Sequence, residues 1–300
     1  MSTRLLLLGG RSALAQAILR VGKDRCECRL VVRRPADPGE PDNGNVCVVD
    51  TYDDLPADCF QGIDVVVNCV GRTTPDPSGA SLTHVNVDIP VAAARSAMRM
   101  NVRHFIQASS LSIFGHVHRI DRSTPVAPTS DYGRSKQLAE ERLRVLADQG
   151  LRLAIVRLPM LYGSDIEGKL SRLARLMVKL RRFPVPPDLP RRSTLHIDNA
   201  ATTVLALAES RSAGTFFAAD ARPFDLQAMA TAIQSERGER VSLIRFPGWV
   251  FRVVRLVAPG VYASLYEPSV VDVDASSYPL VQLPVTLEDG LRTLVRHLPG

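Results

Sequence analysis

A tyrosine and a lysine spaced four residues apart are the pair in this sequence best suited to chemistry. Tyr132 and Lys136 belong to the run SDYGRSK, and on a helix residues with this spacing share one face. A free phenol has a pKa of about 10, and a cation held beside it favours the phenolate. We therefore expect Lys136 to lower the pKa of Tyr132, so that the pair exchanges a proton with a substrate hydroxyl or carbonyl group. The alternative is a half-buried ring beside a solvated lysine, but 6 Tyr and four Lys in 300 residues give only about 0.08 such spacings by chance.

Ser110 extends this pair to a candidate set of three catalytic residues. It follows Ser109 at the end of the apolar run 105–108. A serine hydroxyl there could hold the same substrate oxygen by a hydrogen bond. We predict that Ser110, Tyr132 and Lys136 act together on one oxygen.

Short apolar runs alternate with helical patterns through the first half of the chain. The runs predicted to be buried strands are residues 5–8, 30–32, 46–49, 65–67, 105–108 and 153–156. The helical patterns between them are residues 13–20, 81–100 and 135–149. This alternation predicts an α/β fold with a Rossmann-like, doubly wound parallel sheet. Ligands bind at the carboxyl ends of such strands, which is where Ser110 and Tyr132 are expected.

The turn after the first strand has the composition of a dinucleotide-binding loop. The run GGRSALA opens a helix, where backbone N–H groups and the helix N-terminus would meet a pyrophosphate. Of the three positions where glycine is usual, only Gly9 is glycine, and Ser12 and Ala15 occupy the others. Alanine suits the close packing needed at the third position, and the Ser12 hydroxyl could itself bind phosphate. We predict that Gly9, Arg11, Ser12 and Ala13 bind the cofactor; the alternative is an ordinary strand-to-helix turn.

The end of the second predicted strand carries two arginines where an NAD-binding chain usually has an acid for the ribose 2′-hydroxyl. Arg33 and Arg34 would suit a 2′-phosphate, although Asp37 follows beyond a proline. We therefore expect NADP(H) rather than NAD(H); the alternative is two solvated cations on a loop. Asp50 and Thr51 follow the third strand, where Asp50 could accept the adenine amino group or cap the next turn.

The turn after the fourth strand is a further candidate for contact with the cofactor. Cys69, Val70 and Gly71 follow Asn68 there. This segment either brings the backbone close to the cofactor or is a simple turn.

The pattern changes after about residue 163. Residues 170–180 form an apolar helical stripe, and the basic residues around it are typical of a solvated face. Residues 183–187 read FPVPP, which is stiff and extended, and two arginines follow. Arg192 beside such an apolar lip could hold a diphosphate, or it is a surface cation. We expect His196 to be a core histidine rather than a ligand.

Composition limits the partners and the compartment. The formal charge is +6, but the cations are spread along the chain, which favours an anionic small substrate over nucleic acid. An odd number of Cys, 5, with no zinc-site spacing indicates buried thiols in a reducing cytosol and no metal. The N-terminus lacks a signal-peptide layout, and the apolar segment 246–266 is interrupted by Arg252 and Arg255. A cytoplasmic protein without a membrane-spanning segment is therefore expected.

Taken together, these motifs resemble the extended short-chain dehydrogenase/reductases that act on nucleotide sugars, within the NAD-dependent epimerase/dehydratase family. The resemblance runs over nearly the whole chain. It rests on residues 9–15, Asn86-Val87, residues 108–115 (ASSLSIFG), 132–140 (YGRSKQLAE), 158–163 (LPMLYG) and 192–198 (RSTLHID).

The resemblance implies roles for further residues. It implies that Asn86 lies at the cofactor pocket and that Lys136 also binds the nicotinamide ribose. It places Pro159 and Leu161 beside the nicotinamide. Ser112 is implied to contact the substrate, and Arg192 to grip the nucleotide diphosphate.

The same resemblance implies two domains and an activity. Residues 1–165 plus about 196–220 would form the dinucleotide-binding domain, and about 166–195 plus 221–300 the nucleotide-sugar domain. Residues 183–193 and 269–291 look most like UDP-4-keto-6-deoxy-hexose 4-reductases of bacterial polysaccharide synthesis. We therefore expect NADP-dependent reduction of a nucleotide-linked 4-keto sugar, and we allow for a homodimer.

Two other functions stay open. An NAD-dependent UDP-hexose 4-epimerase would use the same residues and keep its cofactor bound. A non-catalytic dinucleotide-binding subunit or sensor is permitted by Ser12 and Ala15 in the glycine loop, which depart from the family pattern. Phe114, which replaces the usual Tyr, is a conservative departure away from the chemistry.

Overall fold

The computed structural model describes residues 2–34, 45–74, 81–164, 166–272 and 282–298. Its strands, in chain order, are β1 (Thr3–Leu8), β2 (Cys26–Arg33), β3 (Val46–Val49), β4 (Val65–Asn68), β5 (His104–Ser110), β6 (Arg119–Ile120), β7 (Arg152–Leu158), β8 (Met160–Tyr162), β9 (Arg182–Val185), β10 (Thr194–His196), β11 (Gly214–Phe217), β12 (Ser242–Arg245) and β13 (Val270–Val271).

The α-helices are α1 (Ala13–Val21), α2 (Ile89–Arg99), α3 (Asp131–Asp148), α4 (Lys169–Leu180), α5 (Ile197–Glu209), α6 (Leu226–Arg237), α7 (Gly248–Val257), α8 (Pro259–Leu265) and α9 (Leu287–Arg296). Short 3₁₀ turns occur at Ala57–Phe60 and Leu111–Phe114. A π-helical turn, His84–Asp88, leads directly into α2.

Seven strands form one sheet in the order β11–β7–β5–β4–β1–β2–β3, and every neighbouring pair is parallel. All six strands predicted from apolar runs lie in this sheet. The predicted fold class, a doubly wound parallel α/β sheet, is therefore confirmed.

Alternating residues of β1 show how the sheet is covered on both faces. Leu5 and Leu7 pack in one hydrophobic cluster with residues of α1 and α5. Leu6 and Leu8 pack in another cluster with residues of α2 and α3. All four leucines are fully buried, and each such burial stabilises the fold by about 1.5–3 kcal/mol. This two-sided burial is why the strand reads as a continuous apolar run.

A separate hydrophobic cluster holds together the later part of the chain. It is formed by α4, α6, α7 and α9 with β9, and Met177, Met229 and Leu291 at its centre are fully buried. Three two-stranded parallel pairs, β8–β10, β9–β12 and β6–β13, connect or extend this part. The domain boundaries proposed from the sequence stay a prediction.

The structure differs from the predicted elements in two helices that matter for the site. The pattern at residues 81–100 is not one regular helix, because the π turn His84–Asp88 precedes α2. The pattern at 135–149 begins earlier, at Asp131, because Ser130 caps the helix there. Among the described residues, no helix is both long and apolar enough to cross a membrane.

Candidate active site

The start of α3 brings Tyr132 against the end of β5. The Ser130 hydroxyl accepts a hydrogen bond from the Gly133 N–H at 3.1 Å and so caps the helix. A Cβ at Gly133 would lie 2.4 Å from the Ser112 carbonyl oxygen, so only glycine allows this approach. Tyr132, in the first turn, is thereby held beside Ser110.

Ser110 is the centre of a small hydroxyl cluster. It is the last residue of β5, and its Oγ lies 2.8 Å from the Ser112 Oγ. It also accepts a hydrogen bond from the Ser112 N–H at 3.2 Å. Tyr132 lies close enough to Ser110 for the serine hydroxyl to oppose the rise in the pKa of Tyr132 that burial causes. The structure thus brings together Ser110, Ser112 and Tyr132, and the roles predicted for them stay predictions.

The pKa of Tyr132 moves in the opposite direction from the one expected. Burial raises the pKa of Tyr132, and the hydrogen bond with Ser110 offsets this only in part. The Lys136 Nζ lies 5.9 Å from the centre of the Tyr132 ring, toward its face rather than at the hydroxyl. The expectation that Lys136 lowers this pKa is therefore wrong for this structure, and Tyr132 is a protonated phenol at neutral pH.

Lys136 is deeply buried and bonded to the sheet. Its Nζ donates to the Ala108 carbonyl oxygen at 3.0 Å, one turn from Tyr132 on α3. Burial lowers the pKa of Lys136 to about 8, although Cys69 and Glu140 oppose the shift. An anionic or hydroxyl-rich ligand placed beside this ammonium would restore the solvation that burial removed.

A buried ion pair between Glu140 of α3 and Arg157 of β7 attaches this helix to the sheet. It was not predicted from the sequence. Glu140 accepts hydrogen bonds from Arg157 at 2.8 and 3.2 Å and from the Ser109 hydroxyl at 2.5 Å. Burial raises the pKa of Glu140, but the bonds from Arg157, Ser109 and Arg144 bring it below its ordinary value. Glu140 follows Lys136 by four residues on α3, and that spacing was the one available signal.

The glycine loop is built for close backbone approach. Gly9 has a φ of +73°, and a Cβ there would lie 3.2 Å from the Val70 backbone nitrogen. A Cβ at Gly10 would lie 2.9 Å from the Leu30 Cβ, so this glycine lets the loop pass β2. Cys69 and Val70 therefore lie against the loop that precedes α1, as expected for two walls of one cofactor site.

Ser12 has a different task from the one considered. Its hydroxyl accepts a hydrogen bond from the Ala15 N–H at 3.2 Å and so caps α1. The side chain therefore has a structural role in addition to any contact with phosphate. Ala15 is fully buried, which agrees with the close packing predicted for that position. Ala13 is the first residue of α1, where N–H groups lack intrahelical partners and can meet a phosphate.

Gly71, Asn86 and Lys136 form a third contact region. A Cβ at Gly71 would lie 3.0 Å from the Lys136 Nζ and 3.4 Å from the Asn86 Oδ1. Asn86, fully buried in the π turn, accepts from the Arg72 N–H at 2.8 Å and donates to the Ser135 hydroxyl at 2.9 Å. The π turn thus ties the turn after β4 to α3, and such turns are frequent at functional sites.

Arg33 and Arg34, predicted to bind a ribose 2′-phosphate, lie near Arg11 of the glycine loop. Arg11, Arg33 and Arg34 are all exposed, and the Arg11 guanidinium donates to the Arg33 carbonyl oxygen at 3.2 Å. Arg34 forms an exposed ion pair with the Asp50 carboxylate at 3.5 Å. This pair competes with the hydrogen bond that Asp50 was expected to accept from the adenine amino group. Asp37 lies outside the described residues.

Thr51 and the segment around Pro159 complete the predicted set. The Thr51 hydroxyl hydrogen-bonds to the Asp53 carboxylate, so Thr51 organises the turn after β3. Pro159 follows β7, whose last residue Leu158 is paired with Ser110. Leu161 lies in β8, beside Leu195 of β10. Pro159 therefore leaves the sheet next to Ser110, and the position of Pro159 and Leu161 beside the nicotinamide stays a prediction.

Arg192 lies in the later part of the chain and is only partly exposed. Its guanidinium donates to the carbonyl oxygens of Ala263 at 2.6 Å and Glu267 at 2.7 Å. It lines a cavity of about 30 Å³ together with Lys169 and Leu265. That volume suits about one or two water molecules, so binding of a diphosphate requires this cavity to open.

Lys169 was not predicted as a site residue. Burial lowers its pKa, and the neighbouring charges of Arg192 and Arg172 lower it further. Burial lowers the pKa of Arg192 too, and Glu267 opposes that shift. Two cations that disfavour each other in one cavity favour an anion between them.

Two other sequence predictions can be compared with the structure. His196 is 6% exposed, caps α5 by accepting the Asp198 N–H at 3.2 Å, and packs edge-on against Tyr162, so it is a core histidine as expected. The cysteines are all free thiols, but only Cys59 is fully buried. Burial raises the pKa of the Cys69 thiol to about 12, so Cys69 stays neutral.

These contacts fit a nicotinamide dinucleotide. Gly9 and Gly71 are places where a Cβ would fill the approach to the loop or to the Lys136 Nζ. The N-terminus of α1 suits a pyrophosphate, and the Lys136 ammonium lies where a ribose can replace lost solvation. Within the described residues, no group of three or more His, Cys, Asp or Glu is placed to hold a metal ion.

Comparison with known proteins identifies the family. The sequence model of the NAD dependent epimerase/dehydratase family matches residues 5–217, more than half of the chain. The chain belongs to this family. The resemblance stated from the motifs is therefore confirmed, and a nicotinamide dinucleotide is the cofactor that the family implies.

Individual members of the family show how far the likeness extends. A UDP-glucose 4-epimerase from Vibrio cholerae is 32% identical over 132 residues, which are 41% of this chain and 40% of that protein. The match thus spans less than half the length of that epimerase.

Two solved structures show the same fold at low identity. UDP-glucuronic acid 4-epimerase from Bacillus cereus, in complex with NAD, is 14% identical with a TM-score of 0.74 over 99% of this chain and 98% of that one. A dTDP-4-dehydrorhamnose reductase from Clostridium acetobutylicum is 20% identical with a TM-score of 0.61 over 82% and 84% of the two chains.

Proposed function

We propose that this protein is an NADP-dependent reductase of the 4-keto group of a nucleotide-linked sugar, a UDP-4-keto-6-deoxy sugar being the expected substrate. The observation that carries the proposal is the position of the Tyr132 phenol beside the Ser110 and Ser112 hydroxyls at the carboxyl end of β5, where it can give a proton to a carbonyl oxygen that they hold. Reduction of a ketone requires a proton donor at the start of the chemical step. Oxidation, the first step of an epimerase, requires a proton acceptor in the same place.

Each residue of the cluster has a separate task in this proposal. Ser110, supported by Ser112 at 2.8 Å, orients the keto oxygen by a hydrogen bond. Tyr132 gives its proton to that oxygen as negative charge develops. Lys136 binds the nicotinamide ribose, and its bond to the Ala108 carbonyl oxygen holds its ammonium beside the end of β5. When bound, the reduced nicotinamide supplies the hydride.

The cofactor preference in this proposal rests on Arg11, Arg33 and Arg34. All three are exposed, and an Arg–phosphate pair is a strong, charge-assisted interaction. No acid precedes Arg33 at the end of β2 to hold a free ribose 2′-hydroxyl. NADP(H) is therefore proposed, and a dissociable NADPH suits a reductase because each turnover consumes one hydride.

We place the nucleotide diphosphate between Lys169 and Arg192. The two cations line one cavity, and burial disfavours the charge of both until an anion is present. The carbonyl oxygens of Ala263 and Glu267 hold the Arg192 guanidinium and stand in for phosphate oxygens as its acceptors. Diphosphate binding would then exchange these carbonyl partners for phosphate.

An NAD-dependent UDP-hexose 4-epimerase is the second candidate, and the local similarity to the Vibrio cholerae enzyme favours it. Such an enzyme would keep NAD bound and use Tyr132 first as a base. A non-catalytic sensor is disfavoured because Ser110, Tyr132 and Lys136 are all present, with Tyr132 beside Ser110 and Lys136 one turn away on α3. A role in polysaccharide precursor synthesis, a cytoplasmic location and a homodimer stay predictions.

The test is rapid mixing of the protein with NADPH and a UDP-4-keto-6-deoxy sugar, following absorbance of the reduced nicotinamide. The proposal predicts stoichiometric consumption of NADPH and formation of the 4-hydroxy sugar. The purified protein is also denatured to release any bound cofactor. Tightly bound NAD, together with interconversion of UDP-hexoses and no net change of cofactor, would establish the epimerase instead.

A further inference from the structure

The outward face of α7 carries an apolar stripe. Four side chains on it are at least half exposed: Trp249 (65%), Val253 (50%), Leu256 (84%) and Val257 (77%). With 3.6 residues per turn they fall within one arc of roughly 100° on the helix. A contiguous set of this kind in water marks an interaction site more often than chance exposure.

The opposite face of α7 fixes the direction of this stripe. Phe251 is buried and packs edge-on against Tyr266, with ring centres 4.9 Å apart. The Tyr266 hydroxyl in turn donates to the Pro184 carbonyl oxygen at 2.9 Å. Phe251 anchors α7 to the hydrophobic cluster that contains Met177, Met229 and Leu291. Trp249 and Leu256 therefore point away from the protein.

Positive charge lies along one side of the stripe, and further exposed apolar residues occur before and after α7 in the chain. Residues 240–266 contain four arginines and no Asp or Glu. Two of them, Arg252 and Arg255, are exposed on α7 beside the stripe. Phe246 before α7 and Val261 on α8 are exposed by 40% and 51%. Exposed apolar side chains flanked by arginines are the composition of a helix that lies in a lipid interface.

We propose that α7 docks this protein onto an anionic lipid surface. The helix would lie in the plane of the interface, with Leu256 and Val257 among the upper acyl chains. Arg252 and Arg255 would contact lipid phosphates. Tryptophan is enriched at this level of a membrane, which suits Trp249.

A second copy of the chain suits this face less well. A two-fold interface brings the same patch of both copies together. Arg252 and Arg255 of both copies would then meet with no acid on the segment to neutralise them. Anionic headgroups supply the missing charge. The apolar stripe by itself does not distinguish lipid from a second copy, so the arginines decide between them.

The docking surface and the cavity of Arg192 belong to one structural unit. The chain passes from α7 directly into α8. The Ala263 carbonyl oxygen of α8 accepts a hydrogen bond from the Arg192 guanidinium, and Leu265 of α8 lines the cavity. Docking through α7 would therefore place this cavity close to the headgroups.

The chain offers a direct optical test, because Trp249 is its only tryptophan. Vesicles of phosphatidylcholine with about one-third phosphatidylglycerol are titrated into the full-length protein, with pure phosphatidylcholine vesicles as reference. The proposal predicts a blue shift of the fluorescence, protection from acrylamide and co-sedimentation with the anionic vesicles. Binding should weaken in about 1 M salt because the arginine contribution is screened.

Variants separate the apolar and the charged contributions. Replacing both residues, Leu256→Asp and Val257→Asp, should lower the partition coefficient at least about tenfold. Arg252→Gln with Arg255→Gln should lower it roughly twenty- to thirtyfold, about fivefold for each charge. Val145→Asp is the matched control, since Val145 is a 56% exposed apolar residue on α3, and it should bind like the unchanged protein.

Three outcomes would overturn the proposal. One is the absence of both the spectral shift and co-sedimentation with anionic vesicles. Another is a lack of specificity, in which neutral vesicles bind as well as anionic ones or Val145→Asp weakens binding as much as the changes on α7. The third is a dimer, measured by analytical ultracentrifugation, that Leu256→Asp with Val257→Asp dissociates while no vesicle binding occurs; a second copy would then cover the stripe.

Discussion

Removal of the buried charge of Glu140 should destabilise the protein strongly. Glu140→Gln keeps the size and shape of the side chain and removes only its charge. Glu140 is 1% exposed and Arg157 is 9% exposed, so the change leaves an arginine charge buried without its partner. Arg157 also lies over the Phe114 ring at 5.1 Å, which limits its escape to water.

The size of the effect follows from these contacts. Breaking a buried ion pair by removing one partner costs about 3–5 kcal/mol. The amide oxygen of the substituted glutamine still accepts a bond from Arg157 or Ser109, so about 3 kcal/mol is expected. The contact with the more exposed Arg144 adds less than about 1 kcal/mol. In a thermal melt the loss corresponds to a decrease of roughly 6–12 °C in Tm.

Denaturant unfolding followed by circular dichroism measures this loss. The matched control is Glu141→Gln, because Glu141 is the next residue on α3 and its carboxylate accepts a solvent-exposed hydrogen bond from Gln137. The control should change the free energy of unfolding by less than about 0.5 kcal/mol. The double change Glu140→Leu with Arg157→Met should recover most of the stability, since no charge is then left unpaired. Equal stabilities of Glu140→Gln and Glu141→Gln would refute the reasoning.

Three further predictions concern the cofactor, the substrate and pH. Replacing both Arg33 and Arg34 by Ala should lower NADPH affinity at least about tenfold and leave NADH affinity nearly unchanged in fluorescence titrations; an unchanged ratio would place the 2′-phosphate elsewhere. Arg192→Ala should raise KM for the nucleotide sugar roughly ten- to a hundredfold with a smaller change in kcat, whereas Arg191→Ala at the exposed neighbour should not. Burial lowers the pKa of His104 to about 4, so the unfolded chain takes up a proton below about pH 6.5 before the folded protein does. The free energy of unfolding should therefore fall between about pH 6.5 and 4, by at most about 3 kcal/mol. Denaturant unfolding at several pH values measures this, and His104→Gln should flatten the pH dependence in that range. Parallel pH dependences of the two proteins would contradict the assignment.

The sheet and the placement of Ser110 and Tyr132 at one edge of it could be predicted because their signals are local. Strands buried on both faces read as continuous apolar runs, as β1 shows with Leu5 and Leu8. The spacing of Tyr132 and Lys136 needs only a helix to bring the two side chains to one face. The order of parallel strands then places Ser110 at the same edge.

Other features of the site depend on contacts between distant segments and gave no local signal. The raised pKa of Tyr132 follows from burial, which the four-residue spacing to Lys136 cannot reveal. Arg157 reaches Glu140 only because β7 lies beside β5 in the sheet. The cavity shared by Lys169 and Arg192 joins α4 to the segment before β10. The π turn around Asn86 also required coordinates, because its sequence has an ordinary helical pattern.

Tyr132→Phe is the most direct test of the central claim, that the Tyr132 hydroxyl delivers the proton during reduction of a 4-keto sugar. Turnover of NADPH with a UDP-4-keto-6-deoxy sugar is measured together with NADPH binding, and Tyr262→Phe on α8 serves as a control for the same chemical change away from the cofactor loop. A general acid contributes about 10²–10⁴ in rate, so kcat should fall by at least about a hundredfold while the Kd for NADPH stays within about twofold. Retention of more than about a tenth of the kcat of the unchanged protein would contradict the account.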